Sequence, residues 1–162
     1  MELIRQGQPL PCLRTLQRKI ENFKFTPGIS ETMFEFLSNK KPYFESEKDL
    51  ECGLIFDEMS ITPKRSYNPS TASLIGNVTF PNHEGIATHA IVFMLVGICN
   101  RWKHIVGYHF TGNSFASKTL QKIIFQIIEK TEEMGYQKCE LYYVRHGVGK
   151  HWVMETIRYK YR

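Results

Sequence analysis

Leu50-Glu51-Cys52-Gly53-Leu54-Ile55-Phe56-Asp57-Glu58-Met59-Ser60-Ile61 is the stretch on which the reading of this 162-residue chain turns. Leu54, Ile55 and Phe56 are three consecutive apolar residues, the pattern of a short strand buried on both faces of a sheet. Asp57 and Glu58 follow directly. A carboxylate at the end of a buried strand loses solvation unless a cation, a donor or water compensates, and catalytic groups of sheet enzymes often stand there. A strand that simply surfaces at Asp57, leaving both acids solvated, fits the same residues.

Working outward, the length suits one domain. Hydrophobic residues at 42% and charged residues at 23% are ordinary for a soluble protein, and 13% aromatics argue against disorder. The longest apolar run, Ala90 to Cys99, is too short to span a bilayer and has no signal-peptide context, so a soluble intracellular protein without membrane contact is expected. Cys12, Cys52, Cys99 and Cys139 are far apart and read as reduced, mostly buried thiols; neither they nor the histidines show zinc-finger spacing. The net charge of +5 gathers at the ends: residues 1–24 carry five basic residues against two acidic, and residues 145–162 five against one. Basic ends fit contact with phosphates, and equally fit solvated termini.

In chain order, Leu13, Leu16 and Ile20 follow Pro9 and Pro11 at helical spacing, with Arg14, Arg18 and Lys19 off the stripe. Ile29, Met33, Phe34 and Leu37 mark a second helix after the turn at Thr26-Pro27-Gly28. The pair reads as part of a helix-turn-helix or as a connecting hairpin without DNA contact. A polar linker leads into the central strand. A loop over 62–73 and a short edge strand over 74–80 come next, then a β-hairpin over 90–110 turning at Asn100 to Lys103. Trp102 reads as an anchor of that turn and His109 as a satisfied core histidine. Ser114 or Ser117 caps a helix carrying Leu120, Ile123, Ile124, Ile127, Ile128 and Thr131, which Gly135 stops. Cys139 to Val144 is a last strand.

This order, and a set of local words, resemble the P-element-type DNA transposases and their THAP-domain-containing, transposase-derived relatives. The words are Leu10-Pro11-Cys12-Leu13-Arg14-Thr15-Leu16, Phe25-Thr26-Pro27-Gly28-Ile29 and Phe56-Asp57-Glu58-Met59-Ser60. Val92-Phe93-Met94, Gly97, Trp102-Lys103 and Gly107-Tyr108 continue them. The resemblance implies an α/β chain holding a partial RNase H-like fold, β-β-β-α-β, preceded by two short helices and lacking the last strand. It divides the chain into the end of a helix-turn-helix-like region and linker (1–45), the N-terminal half of the RNase H-like transposase domain (46–144) and a basic tail of no recognised family (145–162).

The resemblance also implies DNA as partner and a nuclear location, and the basic residues Arg14, Arg18 and Lys19 of the first helix are the candidate DNA contacts. Asp57 matches the family's first catalytic carboxylate, which in such nucleases helps hold two Mg²⁺ ions for strand cleavage and transfer. Glu58 points to the other face of an extended strand and is the lesser candidate. The family's second acid closes the strand that here ends in Val144-Arg145-His146, where no carboxylate stands. With Asp57 alone, tight Mg²⁺ binding and DNA cutting by this chain are not expected. Arg145 is placed to pair with Asp57, and Glu155 reaches the site only by folding of the tail over the sheet. A missing last strand leaves the 139–144 strand as an open edge for self-association unless the tail covers it.

Overall fold

The computed structural model describes residues 12–15, 18, 26–68, 72–146 and 152–157, with only the backbone described for 68, 138–146 and 152–157. Its elements are β1 (Gly28–Ile29), α1 (Glu31–Lys40), β2 (Glu51–Ser60), β3 (Ser66–Asn68), β4 (Ser73–Ile75), β5 (His89–Gly97), β6 (Lys103–Thr111), α2 (Ser117–Glu133), β7 (Gln137–His146) and β8 (Trp152–Ile157). Two single-turn 3₁₀ helices, Lys41–Tyr43 and Glu47–Leu50, link α1 to β2. Six strands form one mixed sheet in the order β1-β6-β5-β2-β7-β8, and β3 with β4 forms a separate ribbon. β2, β5 and β6 are antiparallel neighbours, and β7 returns parallel to β2 after α2. The β-β-β-α-β order of an RNase H-like domain is therefore present.

β2 sits at the centre because its residues suit burial, although the two faces differ. Cys52, Leu54 and Phe56 are buried and meet Phe93 and Leu95 of β5 under α1 and α2. Ile55 is only half-buried, so the run is dry on one face and partly open on the other. The helix stripe is complete: Ile123, Ile124, Ile127 and Ile128 of α2 are buried, with Phe34 and Leu37 of α1 beside them. Each such side chain taken from water stabilises the fold by about 1.5–3 kcal/mol. The hydroxyl of Thr131, also buried, donates to the Ile127 carbonyl at 2.6 Å, so no polar atom is stranded there. Gly135, at φ +81°, ends α2 in the left-handed conformation that a side chain resists.

Several local expectations are corrected. Ile29 does not begin a helix; Gly28 and Ile29 pair with Tyr108 and Gly107 as an edge strand, and α1 starts at Glu31. Gly107 allows this, since a Cβ there would lie 2.8 Å from the Gly28 carbonyl oxygen. Residues 74–80 are not one strand, because Gly76, at φ +105°, ends β4 after Ile75. α2 begins at Ser117 with Ala116 at the N-cap position and no side-chain cap, so neither Ser114 nor Ser117 caps it. Cys52 is buried, but Cys12 and Cys99 are exposed. Trp102 does anchor the β5–β6 turn, packed on Gly97, and His109 is buried with Nδ1 3.2 Å from the Thr79 carbonyl.

The 139–144 strand is not left open. β7 runs on to His146, and β8 pairs antiparallel with it from Leu141↔Ile157 to His146↔Trp152. The outer edge of β7 is therefore occupied by the chain's own tail, which removes the physical basis for self-association through it. Of the first expected helix, residues 13–15 and 18 are described and helical; the rest lies outside the described residues. α1 shares the core of the sheet through Phe34 and Leu37.

Candidate site on the central strand

Alternation along β2 decides where the two acids go. Asp57 lies with Ile55 and Met59 on the face turned away from α1 and α2, opposite Val92 of β5, which in turn faces Tyr108 of β6. It is half-buried, and its Oδ1 accepts from the Glu58 backbone N–H at 2.8 Å. Burial raises the hydroxyl pKa of Tyr108 on that face above its usual value. Glu58 is on the opposite face, opposite Ile91, where the hydroxyl of fully buried Thr111 donates to its Oε1 at 3.2 Å. The two adjacent carboxylates therefore do not form a pair.

β7 passes Asp57 on its other side. The parallel register sets Phe56 against Tyr143, so Val144, Arg145 and His146 are the β7 residues that continue past Asp57. Glu155 does not fold over the sheet. Its backbone pairs with Tyr143 on β8, two strands out from β2, or about 10 Å. The side chain of Arg145, expected beside Asp57, lies outside those described. Among the described residues, no three His, Cys, Asp or Glu side chains stand where they could share a metal ion. The described donor set thus does not fit a pair of Mg²⁺ ions, which needs several carboxylate oxygens converging on one place.

The expected DNA-contacting residues are only partly described. Arg14 and Arg18 are exposed and helical, and Lys19 lies outside the described residues. Polar groups that the sequence did not single out gather at the end of the sheet near Ser60. Thr88 Oγ1 donates to Asn113 Oδ1 at 2.8 Å and lies 2.9 Å from His89 Nδ1. Beyond them is a cavity of about 320 Å³ lined by Arg65, Asn77, Val78, His83, Glu84 and Gly85. Only the β2–β5 and β5–β6 registers bring Thr111 and Glu58 together, and no short-range spacing announces them. No helix among the described residues is long and apolar enough to cross a membrane.

Known proteins are similar to this chain in sequence and in fold. The human DNA transposase THAP9 is 25% identical over 143 residues, covering 83% of this chain and 15% of that protein. The chain thus spans about 15% of the length of this curated relative. Among solved structures, the Drosophila P element transposase strand transfer complex matches with a TM-score of 0.58 at 21% identity, over 86% of this chain and 28% of that one. That likeness is one of fold. The family described as TNP-like, RNase H N-terminal domain matches residues 25–142, most of the chain, from the turn before β1 into β7. The chain therefore belongs to that family, and its sheet is an RNase H-like domain of the P-element transposase type.

Proposed function

We propose that this chain carries the Asp57-bearing half of a transposase-type catalytic domain and that, by itself, it engages DNA without cutting it. The observation that supports this is that no three His, Cys, Asp or Glu side chains among the described residues stand where they could share a metal ion. Glu58 is turned to the far face, β7 brings no acid past Phe56, and Glu155 rides on the second strand out. Two-metal phosphoryl chemistry needs ions bridged by converging acids, and one carboxylate leaves most of each ion's charge uncompensated. Asp57 is the residue this chain contributes to such a centre.

DNA as partner comes by likeness to a protein described as a DNA transposase and to one in a strand transfer complex. A nuclear location follows from the same likeness. The test is nicking of supercoiled plasmid by the purified chain with Mg²⁺ or Mn²⁺. The expected result is no metal-dependent nicking, with Asp57→Ala indistinguishable from wild type. Nicking by the wild type that disappears in Asp57→Ala overturns the proposal.

A second reading is a non-enzymatic DNA-binding or regulatory module. The exposure of Arg14 and Arg18, each of them helical, favours it. It predicts salt-sensitive duplex binding that weakens when Arg14 and Arg18 are changed to Gln. Binding unaffected by both changes refutes it.

A further inference from the structure

β2 and β5 are antiparallel neighbours, which a two-residue turn is enough to join. This chain spends residues 61–88 on the connection and builds an arm from them. Connections of that length in a compact domain usually serve a function. The base of the arm is fixed. Ile61 N–H donates to the Thr88 carbonyl and Val78 N–H to the Gly85 carbonyl, both at 2.9 Å. Ala87 N–H donates to the Gly76 carbonyl, also at 2.9 Å. Phe80, fully buried, plugs the arm into the core, and its N–H and that of Thr79 both donate to the Phe110 carbonyl.

On this base one cation is held in place. A Cβ at Gly76 would collide with the Lys64 carbonyl, so only glycine lets the Lys64–Arg65 backbone lie so close. Arg65 Nε donates to Asn77 Oδ1 at 2.9 Å, which orients the guanidinium at the wall of the cavity shared with His83, Glu84 and Gly85. Among the described residues Arg65 makes no ion pair, with Glu84 or any other acid. A guanidinium fixed at Nε presents its outer N–H groups as a fork suited to phosphate oxygens. Two residues on, Tyr67 is 60% exposed and is the cross-strand partner of Leu74, itself 66% exposed. Arg65 immediately precedes β3, and Tyr67 is the middle residue of that strand. The arm thus offers an oriented cation at a cavity and, two residues further along the chain, an open aromatic platform.

We propose that the β3–β4 arm holds a single-stranded segment of nucleic acid, with a backbone phosphate on Arg65 at the cavity and a base stacked on Tyr67 beside Leu74. Cationic groups tracking the backbone and aromatic platforms under the bases are how unpaired strands are gripped without sequence readout. Glu84 is the one acid lining the cavity, and Lys64 next to Arg65 outweighs it. The contact is independent of the Asp57 chemistry.

The experiment titrates the full chain into a fluorescein-labelled single-stranded oligonucleotide of mixed sequence, read by anisotropy over a salt series. Arg65→Gln weakens binding about tenfold and lowers the salt slope by about 0.7. Arg65→Lys loses affinity but keeps the slope, because charge remains while the fork is gone. Tyr67→Ala weakens binding about tenfold at unchanged slope. Lys118→Gln, at the start of α2, stays at wild-type affinity. Wild-type affinity in both Arg65→Gln and Tyr67→Ala overturns the proposal. So does a wild-type chain that binds inorganic phosphate but no oligonucleotide, or one that binds a duplex of equal length more tightly with no dependence on Tyr67.

Discussion

Trp102 is the position where the packing of this domain is most open to a quantitative check. Its ring is 7% exposed and lies between Phe44, Tyr136 and His104, with centroids 6.2, 5.6 and 5.9 Å away. Lys40 Nζ stands 5.7 Å from its centroid and 3.3 Å from His104 Nε2. Yet the indole Nε1 is buried without a hydrogen-bond partner among the described residues. Two opposing terms follow. Trp102→Ala empties the site and costs about 3–5 kcal/mol, less about 1–3 kcal/mol for removing the unpaired N–H. Trp102→Phe loses roughly 40 Å³ of packing, or about 1 kcal/mol, and removes the same N–H, so it lands near neutral. Urea unfolding of both variants, read from midpoints at constant slope, measures these differences. A Trp102→Phe loss of more than about 2 kcal/mol would show that Nε1 contributes a bond, and the reasoning would fail.

Two further outcomes follow from the sheet and its edges. Burial lowers the pKa of His109, with the Thr79 carbonyl opposing, and burial and then Lys40 lower that of His104. A depressed folded-state pKa means that the unfolded chain takes up more protons below the ordinary value near 6.5, so stability is lost as pH falls through that region. His109 alone adds a slope of at most about 1.4 kcal/mol per pH unit, and urea midpoints from pH 7.5 downward that stay flat would refute its burial as the neutral form. Gly107→Ala drives a Cβ against the Gly28 carbonyl and destabilises by about 1–3 kcal/mol. Hydrogen exchange should show the Ser30 amide, bonded to the Val106 carbonyl at 2.8 Å, losing protection while β2 and β5 keep theirs.

The strands and helix that were legible in the sequence are those with long, uninterrupted patterns. Leu54 to Phe56, Ile91 to Val96 and the Ile123 to Ile128 stripe each repeat often enough to declare a face. β1 was not legible because two residues carry no period, and its place depends on Gly107 being bare on a strand 78 residues further on. The split of residues 74–80 turns on one positive φ at Gly76, and the apolar Phe80 that suggested a strand is a plug into the core. β8 holds Trp152, Val153 and Ile157, residue types that favour strands, but they lie in a short segment flanked by basic residues with no long apolar pattern to declare a face. The opposite faces of Asp57 and Glu58 were readable from alternation alone. The Thr111 contact to Glu58 and the Arg65–Asn77 wall were not, since both need tertiary register.

The central claim is that Asp57 does not by itself make a metal centre, and Mn²⁺ binding tests it most directly. Amide resonances of β2 and β5 would be followed while Mn²⁺ is titrated into wild type and Asp57→Ala. The account predicts only weak, non-saturating broadening that is the same in both chains. A saturable, stoichiometric site centred on Asp57 and abolished in Asp57→Ala would contradict it.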